Sequence, residues 1–273
     1  MGTRASSGFT IIEVILFLAV TGALIAGMMV ATSLTLGVQR YRDATESFKT
    51  LLQDQYASLT SVQNTRGHSV TCDMQANVID GDVLRGQSAC VLLGKYMVIH
   101  GGDVTIYPVL GRTDPAIPSN ANDITSLRDD YVINIDKGNA DERELEWGSQ
   151  ISWITETNTV NPEDYDSNRT NRSVGILFVR APESGQIYTF TANNPPTPDA
   201  IAASAGAPAD LRNMIVAGAV VPGQKARTIC LDTGGLTPIP NTSIYLAAYA
   251  SGASSVEVRS NDVARGLGAA AQC

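Results

Sequence analysis

Between Phe9 and Val38 the only charged side chain is Glu13, and that stretch exceeds the roughly 20 apolar residues needed to cross a bilayer. A carboxylate in such a run costs a few kcal/mol on insertion scales, so it needs a partner or a polar edge. Ahead of the run stands a short polar segment, residues 1–8 (MGTRASSG), with Arg4 as its one charge and the small residue Gly8 at its end. A secretory signal has the opposite order, its apolar region preceding the small-residue cleavage site and leaving with it. Cleavage after Gly8 would instead keep the apolar segment and create a new α-amino group at Phe9. That amine would lie about one helical turn from Glu13, in the same chain, or be offered by a neighbouring chain. A Glu snorkelling to the headgroups is the simpler alternative. Arg4 on the short side favours a cytoplasmic N-terminus with the rest of the chain exported.

The other reactive side chains point to no catalytic constellation. Cys72, Cys90, Cys230 and Cys273 form no CxxC pair, and His68 and His100 are the only imidazoles, so no metal site or cofactor is expected. Scattered cysteines behind a membrane segment suggest disulfides in an oxidising compartment, with buried free thiols as the alternative. Four cysteines allow three connectivities, of which Cys72–Cys90 and Cys230–Cys273 join the nearest in sequence. Asn134, Asp136, Asn139 and Asp141 carry oxygens suited to calcium but lack EF-hand spacing, and they read more simply as a solvated acidic loop. No HExxH, GxxxxGK[ST] or GxSxG pattern occurs, and two histidines leave little scope for a triad. An enzyme is not expected. The net charge of −8 falls on the region after the helix, because charges balance over residues 1–56. Such a surface repels nucleic acid, and no nucleic-acid partner is expected.

These residues need a rod and a head to position them. Beyond the apolar run, Val38, Tyr41, Thr45, Phe48, Leu52, Gln55, Leu59 and Val62 recur at alternating three- and four-residue spacing, one stripe of a helix. The spacing predicts a helix over residues 9–64, with 9–38 in lipid or a filament core, Gly67 as a stop, and a length on the order of 80 Å. Beyond it the period shortens. Residues 90–100, 104–110, 131–136, 150–155, 173–180, 186–191, 226–231, 243–250 and 255–259 read as short strands, with turns at Pro182–Gly185 and Ser251-Gly252. No helices alternate with them, so the sheet should be mostly antiparallel. Residues 112–128, 158–172 and 192–210 read as surface loops, the last with a short helix over 199–205. The fold class is therefore α+β: a leader (1–8), a long N-terminal helix (9–64), and a β-rich head (65–273), either one mostly antiparallel sheet or a β-sandwich.

The string Gly8-Phe9-Thr10-Ile11-Ile12-Glu13-Val14 and its apolar continuation resemble the processing and assembly motif of type IV prepilins and pseudopilins. The resemblance covers about the first 60 residues. It implies that prepilin peptidase cuts after Gly8 and methylates Phe9, and that Glu13 pairs with a neighbouring subunit's amine during stacking. It also implies other pilin or pseudopilin subunits, the membrane and the pilus or secretion assembly platform as partners. The subunit would wait in the cytoplasmic membrane with its head outside, then enter an extracellular pilus or an envelope pseudopilus. Many major pilins carry a proline midway along this segment; here Gly22 and Gly27 occur and no proline precedes Pro108, which favours a minor subunit. Residues 227–232, Gly234-Gly235 and 243–245 loosely resemble the late strands of minor pseudopilins. The rival expectation is a single-pass anchored adhesin or binding module that never polymerises, for which Glu13 and cleavage have no use.

Overall fold

A computed structural model describes residues 10–61, 70–81, 87–113, 122–157, 173–192, 195–203, 209–215, 226–232, 242–247 and 250–260. Helix α1 runs unbroken over Ile11–Thr60, roughly 75 Å at 1.5 Å per residue. It ends four residues before the expected Asn64, where the Ser61 N–H closes onto the Ala57 carbonyl at 3.1 Å. Residues 62–69, including Val62 and Gly67, lie outside the described residues. The apolar half carries its own polar groups quietly. The Thr21 and Thr35 hydroxyls donate to the Phe17 and Ala31 carbonyls at 2.8 and 2.9 Å, and Thr32 donates to Met28, so none needs water.

The head contains strands β1 (Val70–Cys72), β2 (Val78–Asp80), β3 (Val91–His100), β4 (Asp103–Thr113), β5 (Tyr131–Ile135), β6 (Asp141–Glu144), β7 (Gln150–Thr157), β8 (Ser173–Arg180), β9 (Ile187–Ala192), β10 (Ala226–Asp232), β11 (Thr242–Leu246) and β12 (Val256–Ser260). Short helices α2 (Asp123–Asp129), α3 (Pro198–Ala203) and α4 (Ala209–Met214) accompany them. Every described pairing is antiparallel. A six-stranded sheet has the order β5-β4-β3-β8-β9, with β6 beside β4; a four-stranded sheet has the order β12-β11-β10-β7; β1 and β2 form a separate hairpin.

The larger sheet is covered on both faces, which explains why β8 reads as a continuous apolar run rather than an alternation. One face, with Met97, Ile99, Val104, Ile176 and Phe178, meets Phe48, Leu52, Tyr56 and Leu59 of α1. The same core takes in Ile151, Ile229, Leu231, Ile244 and Val256 of the smaller sheet, so both sheets share α1. The other face, with Tyr96, Val109, Leu177, Val179 and Phe190, is covered by Leu127, Ile201, Leu211 and Met214 from the short helices. Strand β3 changes parity on the way. The register shifts between Leu92 and Gly94, so Leu93 faces the second core although Met97 and Ile99 face the first.

Tyr56 stands at the seam between α1 and the larger sheet, its ring edge-on to Phe178 at 5.0 Å and its hydroxyl 2.9 Å from Thr189 Oγ1. Burial pushes this phenol up to about 12, against the opposing pull of the Thr189 hydrogen bond. A folded-state value above the ordinary one of about 10 contributes stability below that pH, and the contribution is lost as pH rises towards 12. Tyr56→Phe should therefore flatten the alkaline fall in stability between pH about 10 and 12. It should also cost on the order of 1 kcal/mol at neutral pH, because Thr189 loses its partner. Thermal unfolding of both proteins across this range measures the two effects, and parallel alkaline limbs would contradict the assignment.

Several expectations need correction. Residues 112–128 are not one loop: β4 extends to Thr113, and α2 starts at Asp123 because the Asn122 Oδ1 accepts the Ile124 and Thr125 N–H groups at 3.0 and 3.2 Å. The stretch 192–210 is likewise shortened by α4, while α3 falls within the expected 199–205 segment to within a residue. Strands β1, β2 and β6 were not expected. Residues 158–172 lie outside the described residues. The turn at Pro182–Gly185 forms as expected, with Gly185 at φ 73° and its N–H bonded to the Ala181 carbonyl at 2.9 Å.

Candidate functional site

Glu13 sits at the third position of α1, whose cap is Thr10. The Thr10 N–H and hydroxyl both donate to Glu13 Oε2, at 2.9 and 3.1 Å, and the Glu13 N–H donates to Thr10 Oγ1 at 3.4 Å. This reciprocal capping box satisfies orphan donors of the first turn and places a carboxylate where the helix dipole favours negative charge. The pattern Thr10-x-x-Glu13 was legible in the sequence as a cap, and sequence reasoning passed over it in favour of the ion-pair reading. The arrangement holds the Glu13 carboxylate against the helix cap, Thr10. Gly8 and Phe9 lie outside the described residues.

Between this cap and the head, α1 presents bare apolar surface. Ile11 is 79% exposed and Phe17 68%, and among the large apolar side chains exposure falls to 38% only at Val38. Soluble monomers rarely expose so large a contiguous apolar surface, and such a surface marks a contact with a membrane or another protein. The segment is long and apolar enough to cross a membrane, and none of its most apolar stretch is buried in the protein. Burial starts at Tyr41, whose hydroxyl donates to the Thr242 carbonyl. Further along, the Gln53 Nε2 donates to the Ala253 carbonyl at 3.1 Å. Of the expected stripe, Tyr41, Thr45, Phe48, Leu52, Gln55 and Leu59 are buried, whereas its first residue, Val38, is exposed. The head therefore grips the second half of the rod and leaves the first half to something else.

At the boundary, Arg40 stacks over Trp147 with 5.4 Å from the guanidinium carbon to the ring centroid. Trp147 was not singled out from the sequence, because a lone aromatic between Glu146 and Gly148 carries no period. It is 54% exposed and has φ 59° and ψ 24°, a conformation costing a bulky residue roughly 1 kcal/mol or more.

Cys72 and Cys90 form the expected disulfide, tying the β1–β2 hairpin to the start of β3, and Arg112 Nη1 donates to the Cys72 carbonyl at 3.0 Å. Cys230 is disulfide-bonded as well; its expected partner Cys273 lies outside the described residues. The side chains suggested for calcium make internal bonds. Asn139 donates to Asp136 at 2.8 Å, Asn134 to Asn77 at 2.9 Å, and Arg143 holds Asp141 at 2.7 Å. Among the described residues, no group of three or more metal-ligating side chains comes together.

Comparison with family models, with curated proteins and with solved structures returns no match to this chain.

Proposed function

We propose that this chain is a structural subunit of a type IV pilus or type II secretion pseudopilus, matured by prepilin peptidase cleavage after Gly8 and assembled through α1. The observation that carries this reading is the division of α1. One continuous helix starts with a capped carboxylate, runs bare and apolar to Val38, and only then enters the head. An anchor alone needs the span and would use Glu13 for no more than the capping box. A helix that leaves lipid and packs against copies of itself needs the same apolar surface in both settings, with a polar element that fixes stagger.

In this reading the precursor waits in the cytoplasmic membrane with its head outside and Arg4 on the cytoplasmic side. Cleavage removes residues 1–8 and leaves a free amine on Phe9, which is methylated. As subunits stack head to tail in an open helical array, the carboxylate of Glu13 meets the amine of a neighbouring chain. A desolvated charge is costly alone and tolerable when paired, so only the correct stagger is stable. Gly22 and Gly27 have nothing within 4 Å of an added Cβ in the monomer, which leaves them available for close approach by neighbouring helices.

A bulky side chain at the cleavage junction should block maturation. Gly8→Phe, expressed with an active prepilin peptidase, should retain residues 1–8, as read by intact mass. Removal of those residues from the variant at the wild-type rate would refute the assigned cut.

A further inference from the structure

The exposed indole at the lower edge of the head has no task in the reading above. Trp147 lies in the turn between β6 and β7, and both ends of that turn are pinned. The Leu145 N–H donates to the Gly102 carbonyl and the Ile151 N–H to the Gly101 carbonyl, both at 2.8 Å, while Leu145 and Ile151 are buried in the core. The β3–β4 turn approaches so closely that a Cβ on Gly102 would stand 2.9 Å from the Ser149 carbonyl oxygen. Trp147 and Gly148 both hold positive φ, 59° and 64°. An aromatic residue is thus held outward on a rigid support, in a conformation that a glycine would adopt more easily.

Its height along α1 gives it a partner. Arg40 is the first charged residue after Glu13, and residues 14–39 contain none. Val14–Val38 is about 37 Å of helix, which fits a hydrocarbon core of about 30 Å with ordinary tilt. That places Glu13 at one interface and Arg40 at the other. Trp147, stacked on Arg40, then stands at the depth where tryptophan is enriched in membrane proteins, its ring amphipathic and its neighbour a cation able to reach lipid phosphate. Glu144 and Glu146 stand just before Trp147, so the fit is to a zwitterionic headgroup layer rather than to a strongly anionic one.

We infer that Trp147 is an interfacial anchor: before assembly its indole inserts into the headgroup layer of the leaflet facing the head and seats the head on the bilayer. This rests on the membrane span proposed above. The test reconstitutes the full-length chain in phosphatidylcholine vesicles whose acyl chains carry bromine just below the headgroups, and compares tryptophan emission of wild type with Trp147→Phe. The chain has two tryptophans, so the difference isolates Trp147. A third protein, Trp147→Phe with Phe17→Trp, reports on the span at an exposed helix position, read with bromine deep in the chains. The expected result is a blue-shifted Trp147 signal that loses roughly half its intensity to the shallow bromines, together with quenching at position 17. Quenching at position 17 with no quenchable Trp147 signal would overturn the anchor and leave the span standing. Protection of Trp147 only in assembled filaments would likewise overturn it, in favour of a neighbouring subunit. Absence of quenching at both sites would remove the span and the anchor together.

Discussion

Glu13→Leu should insert into the membrane at least as well as wild type and enter filaments hardly at all. Leucine is favoured over a carboxylate inside a bilayer by about 3 kcal/mol on insertion scales, so targeting should not suffer. In the assembled state, removal of one partner from a buried ion pair leaves the other charge unpaired, at a cost of about 3–5 kcal/mol. That converts to a loss of roughly a hundred- to several-thousand-fold in subunit association, enough to exclude the variant. The structure adds a confounder, because Glu13 also closes the capping box with Thr10. Loss of the cap alone would cost about 1 kcal/mol and fray the first turn. Glu13→Gln separates the two roles, since glutamine serves at this position of a capping box but carries no charge. Both variants should fail to assemble. Incorporation of Glu13→Gln at wild-type levels would assign the residue to capping, and normal incorporation of Glu13→Leu would remove the ion-pair mechanism altogether.

Gly94→Ala should be the most damaging single methyl in the head. Gly94 follows the bulge at Leu93, and β8 passes so close that an added Cβ would fall on the Phe178 carbonyl oxygen and within 2.9 Å of Val179 Cα. Those are backbone atoms of a central strand paired on both sides, so no side-chain rotation relieves the clash. Overpacking of this kind costs about 3 kcal/mol or more, which for a domain of this size lowers Tm by on the order of 10 °C. Gly252, with nothing within 4 Å of an added Cβ, is the control, and Gly252→Ala should leave Tm within a degree or two. Equal Tm values for the two variants, followed by near-UV circular dichroism of the solubilised full chain, would contradict the close approach.

The rod was legible because a helix announces itself by period. The stripe from Tyr41 to Leu59 is the buried face of α1, and β-branched or aromatic runs bounded by turn residues mark β3, β4, β5 and β7 to β12. The hairpin turn at Pro182–Gly185 was legible for a related reason, since Gly185 takes the left-handed conformation that proline and glycine punctuation signals. Strand β6 was not. Its four residues, Asp141–Glu144, are all exposed and charged, and it exists because β4 offers an edge rather than because of its own pattern. Helix α2 was hidden by its length, although Asn122 is a plain cap. The bulge at Leu93 and the demand for glycine at Gly94 are consequences of how β3 meets β8, which no local window contains. At the candidate site, the singular placement of Glu13 was readable from charge alone. Trp147 was not, because its meaning comes from standing beside Arg40 in space and more than a hundred positions away in the chain.

The central claim is that this chain is cut and assembled as a pilin-type subunit, and intact-mass with N-terminal analysis of protein recovered from membranes tests it most directly. A mature chain beginning at N-methylated Phe9 is the predicted result. A chain still beginning at Met1, from cells with an active prepilin peptidase, would contradict the claim and make α1 the anchor of a head that never polymerises.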